Sequence, residues 1–137
     1  MTVWLHNLRA IGLAALAGLF TFGVLGILVM MLPFVLIGYF TVVAAGIGLS
    51  PWLFLLGFVL PHGIFEIPAI LMASGAMLRM GATLAAPASG RTMSEALIEA
   101  FADWCRIMVA LAIPMFLVAA TLEIYITPRV AILLFGM

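Results

Sequence analysis

The sequence predicts an all-α fold: a polytopic transmembrane helix bundle, with residues 1–137 forming a single transmembrane domain. Three observations carry this. The chain is 68% hydrophobic with a mean hydropathy of +1.43. It has five basic and five acidic residues, too few to cover a soluble surface. Its apolar residues also run in stretches close to the ~20 residues that cross a hydrocarbon core of about 30 Å.

The first stretch, 10–31, follows a basic flank ending at Arg9. It is longer than a signal-peptide core and has no clear cleavage site, so it reads as a retained span. Ala10, Ala14 and Gly18 recur every fourth residue, a small-residue face for close helix approach. Leu32-Pro33 is expected to end it, leaving a second, shorter stretch at 34–49. Ser50-Pro51 then signals a turn and a helix start.

The third stretch, 51–80, is longer than a bilayer requires. It contains Pro61 and Pro68, each of which removes a backbone donor. A broken helix near Pro61-His62-Gly63 is therefore expected, placed where protein or a wet cavity covers the freed backbone. Residues 81–91 read as a loop. Thr92-Met93-Ser94-Glu95 matches a capping box, which starts an amphipathic surface helix over 94–105. That helix carries Glu95, Glu99 and Asp103 on one face, and its Trp104 is expected at headgroup level. It can run on into a last span, 107–126, kinked at Pro114. Residues 130–137 are too short to cross again. Arg79 and Arg106 read as snorkelling interfacial anchors.

Ionisable residues at membrane depth are costly and mark candidate sites. His62 and Glu66 stand four apart, hence on one helical face. Glu123 is the other acid in apolar surroundings. The candidate site is thus Pro61, His62, Gly63, Glu66, Pro68 and Glu123. Two readings stand. In one, these groups bond one another and fix the bundle. In the other, they handle protons, a metal or an anionic partner.

Enzyme chemistry finds little support. A zincin needs His-Glu-x-x-His, and here His62 and Glu66 supply at most two ligands. His6 reads as interfacial, while Ser50 and Ser74 lack any nucleophile motif. No catalytic residue, metal or cofactor is expected. The single cysteine, Cys105, excludes an intrachain disulfide, and zero net charge gives no reason to expect nucleic acid.

The stretch from Leu60 to Ile70, continuing to Leu78-Arg79-Met80-Gly81, resembles the signature of the stage II sporulation protein M family. Ala119 to Pro128 is similar to its closing motif, and His6-Asn7-Leu8-Arg9 to the opening of its second helix. Two features depart from the family pattern. An additional N-terminal helical region has no counterpart here, and Leu32-Pro33 stands where a polar Asn-Gly is usual. The resemblance implies a non-enzymatic, multi-pass protein of the cell (inner) membrane, its N-terminus cytoplasmic. Its expected role is that of a scaffold or accessory subunit, partnered by the lipid bilayer and by other membrane proteins or a second copy. The competing reading is a transport or ion/proton subunit using His62 and Glu66.

Overall fold

The structure, a computed structural model, describes residues 2–86 and 90–136, and among these there are five helices and no strand. They are α1 (Thr2–Phe20), α2 (Val24–Gly46), α3 (Pro51–Ala85), α4 (Met93–Tyr125) and α5 (Thr127–Phe135). The first four are each long and apolar enough to cross a membrane. Exposed large hydrophobics such as Val42, Ile47 and Leu133 cover the outside, as lipid contact demands.

The first turn falls earlier than Leu32-Pro33. The 10–31 stretch is divided at Thr21-Phe22-Gly23, where Phe22 (φ 50°) and Gly23 (φ 93°) adopt left-handed backbone. Thr21 ties the joint: its hydroxyl donates to the Ala17 carbonyl (2.7 Å) and accepts from the Leu25 N–H (3.0 Å). Pro33 lies inside α2 and does not end it. Neighbouring groups in a membrane bundle tolerate a proline that would stop a soluble helix. The expected 34–49 segment is therefore the second half of a 23-residue helix.

The expected break at Pro61-Gly63 is also absent. α3 continues from Pro51 to Ala85, and the irregularity sits one turn earlier, as a π-helical turn over Leu55–Val59. There the Leu60 N–H reaches back five residues to the Leu55 carbonyl. This widened turn makes room for the Pro61 ring, which would otherwise strike the carbonyl four residues before it. α4 repeats the device: a π turn at Met108–Ala112 precedes Ile113-Pro114. Both prolines are absorbed without breaking their helices.

α3 and α4 pack along each other as a long antiparallel pair. Ala69, Ala73, Met77, Ala112, Phe116 and Ala119 form its dry centre. Beside them, α1 crosses α2 at Ala14, Gly18 and Gly26, where a Cβ on Gly26 would come within 2.6 Å of the Ala14 carbonyl oxygen. The small-residue face of α1 is thus used within the chain. The α1–α2 turn rests on α3, with the Phe22 backbone against Gly81.

At 33 and 35 residues, α4 and α3 exceed the thickness of the hydrocarbon core. The 94–105 segment is accordingly not a separate helix laid flat on the membrane. It is the first half of α4, packed on the far end of α3 through buried Ala96 and Ala100. The expected 81–91 loop is shorter as well: α3 runs to Ala85, and 87–89 lie outside the described residues. Beyond Tyr125 the chain adds α5, whose Phe135 stacks on Phe58 (5.5 Å) over the first π turn.

Candidate functional site

His62 and Glu66 lie on the α3 face turned toward α4 and α5, after the π turn has reset the helical phase. Their positions are central in the apolar length between Ser50 and Arg79, about 18 to 24 Å from Ser50 at ~1.5 Å per residue. The His62 Nε2 and Glu66 Oε2 atoms are 3.7 Å apart, too long for a hydrogen bond. On its other side, His62 Nδ1 lies 3.3 Å from the Thr127 hydroxyl. One tautomer suits both contacts: Thr127 donates to Nδ1, and the Nε2–H points toward the Glu66 carboxylate. Thr127 is buried, with 7% of its surface exposed, while the His62 and Glu66 side chains keep 17% and 20%.

That residual exposure opens into a cavity of about 800 Å³. Glu66 and His62 line it from α3, Glu123 from α4, and His6, Asn7 and Arg9 from α1. The remaining walls include four aromatic rings, Phe34 and Phe40 from α2 and Phe54 and Phe58 from α3. The register of the helices explains the space. Gly18 of α1 lies against Met77 of α3, so α1, running parallel, begins near the level of Pro61. Beneath that level α3 continues for about ten residues and α2 for about five, and no part of α1 lies between them.

The expected site residues are thus distributed as follows. His62, Gly63, Glu66 and Glu123 share the cavity. Pro61 and Pro68 shape α3 and do not line it. Sequence reasoning missed Thr127 as the partner of His62, and it left His6, Asn7 and Arg9 near an interface and outside the site. Among the described residues, no three His, Cys, Asp or Glu side chains gather closely enough to hold a metal ion.

The expected anchors belong elsewhere. Arg79 on α3 and Arg106 on α4 both reach Asp103, at 3.1 Å and 2.9 Å, a bridge that pins the α3–α4 pair where it leaves the apolar zone. Trp104 packs on the core and on Phe101, and its indole nitrogen is buried, not turned to the headgroups. Beyond the bridge the capping box at Thr92 and Glu95 is formed, and Arg91 pairs with Glu99.

A profile of the stage II sporulation protein M family matches residues 1–128 of the 137. The chain belongs to that family. The match spans the His62–Glu66 motif, the polar start of α1 and Glu123, so the polar groups of the cavity all lie within it. No match was found among curated proteins or among solved structures. Family and fold together identify a multi-pass membrane protein built of apolar helices.

Proposed function

We propose that this protein is a non-enzymatic scaffold or accessory subunit of a larger membrane assembly. One observation supports the reading above others: the α3–α4 pair extends past the bilayer and presents a patterned outer face. On the projecting half of α4, Ala96 and Ala100 face α3. A second strip carries exposed Ile98 (70%) and Phe101 (50%). A third carries Glu95 and Glu99. Apolar anchors bordered by carboxylates suit a partner segment with apolar and basic residues.

Purification in mild detergent tests this, comparing the wild-type chain with an Ile98→Asp, Phe101→Asp variant. The expected result is a defined set of proteins that accompanies the wild type and is lost from the variant at unchanged thermal stability. A monomer without partners would count against the proposal.

The cavity at His62, Glu66 and Glu123 favours a second reading, a subunit of an ion or proton pathway. Proton or cation uptake into liposomes containing the purified protein, abolished by Glu66→Gln, would install it in place of the first.

A further inference from the structure

The cavity holds charges of both signs that do not pair with each other. Among the described residues, neither Arg9 nor Glu123 has an ion-pair partner within 4.0 Å, and the only such contact of Glu66 is with His62. Directly paired charges would need no third party. Arg9 is exposed on α1, while the half-buried Glu66 and Glu123 carboxylates lie within the apolar length of the protein and are incompletely satisfied, which is expensive at that depth. A molecule that presents a cation to Glu66 and Glu123 and an anion to Arg9 relieves both at once.

The rest of the cavity defines the other half of such a molecule. Its remaining walls include Phe34, Phe40, Phe54 and Phe58, and the bundle around it is solvated by lipid. Its volume, about 800 Å³, falls in the range of small-molecule sites. A soluble zwitterion would leave the four aromatic rings uncovered. An acyl chain would cover them.

We propose that the cavity binds an amphiphile with a zwitterionic head, a primary ammonium joined to an anionic phosphate, with its hydrocarbon lying on the phenylalanine walls. The ammonium donates to the Glu66 and Glu123 carboxylates. The phosphate accepts from the Arg9 guanidinium, with the Asn7 amide and His6 beside it on α1. The inference is independent of the scaffold reading, since it concerns a different part of the molecule.

The test uses the purified full chain in detergent, with bound lipid read by native mass spectrometry. Phosphatidylethanolamine is compared with phosphatidylglycerol, which lacks the ammonium, and with dodecylamine, which lacks the anion. The zwitterion should be retained as a single adduct at least about tenfold more tightly than either, the worth of one added charge-assisted hydrogen bond. Arg9→Gln and Glu123→Gln should each erode that preference while the melting temperature of the lipid-free protein stays unchanged. Equal retention of the three amphiphiles, or preference for either singly charged one, would overturn the proposal. Displacement of the lipid by free phosphoethanolamine at equal concentration would overturn the lipid as the source of the zwitterion. The ranking on the wild-type chain decides the matter even if a variant fails to fold.

Discussion

His62 is held from two sides by groups that differ in kind. Thr127 gives it a hydroxyl at 3.3 Å, and Glu66 gives it a carboxylate at 3.7 Å. Removing the hydroxyl at nearly constant volume, Thr127→Val, leaves the half-buried imidazole nitrogen without its partner. It should cost about 1 kcal/mol in detergent unfolding and release the His62 tautomer, which nitrogen NMR of the ring would report. At Glu66, Gln keeps hydrogen-bonding capacity and Leu does not. Glu66→Gln should fold normally and Glu66→Leu should be less stable; equal stability would deny the polar cluster a structural role. Gly81 is a different case, because the Phe22 backbone occupies the place a Cβ would take. Gly81→Ala must displace a turn with no flexible side chain to yield. A loss of about 1–3 kcal/mol is expected. His62, Glu66 and Glu123 were legible as site residues because a charge inside an apolar run stands out in one dimension. Thr127, His6, Asn7 and Arg9 were not. Thr127 is an ordinary residue before a proline, and the other three lie at the polar start of a helix whose neighbours only the register of α1 on α3 reveals.

At the scale of the element, prolines mislead in both directions. Pro33 and Pro61 each read as breaks, and neither is one. The actual joint, Thr21-Phe22-Gly23, contains no proline and depends on a threonine hydroxyl and two left-handed residues. Composition fixes the number of apolar lengths well, and their ends poorly, because a membrane helix needs no polar stop where its neighbours satisfy the backbone. The paired π turns before Pro61 and Pro114 make a measurable claim. Spin labels at Leu53 and Leu71, 18 residues apart on α3, should give a backbone separation of about 27 Å. A markedly shorter distance would mean two helices meeting at an angle.

For the whole molecule, the decisive feature is that α3 and α4 are longer than the membrane while α1 is not. The surplus of the long pair and the connection between its helices carry the charged groups Arg79, Asp103, Arg106, Arg91, Glu95 and Glu99, all at one end. That end belongs in water, so cysteines introduced at Glu95 and Ile98 should react with an impermeant maleimide in intact membranes. Cysteines at Leu71 and Val118, exposed on the bundle but within its apolar length, should not react. The bridge through Asp103 sits at the boundary and contributes little stability of its own. Arg79 and Arg106 are 70% and 77% exposed, and exposed pairs are worth about 0–1 kcal/mol. Its effect is on register: two arginines from neighbouring helices converge on one carboxylate and fix how far the pair slides. Asp103→Asn should therefore lower the melting temperature only slightly, yet shift the boundary between reactive and unreactive cysteine positions along α4. If the labelling boundary stays in place while stability falls sharply, the bridge is a stability element and the projecting end is positioned by its alanine packing alone.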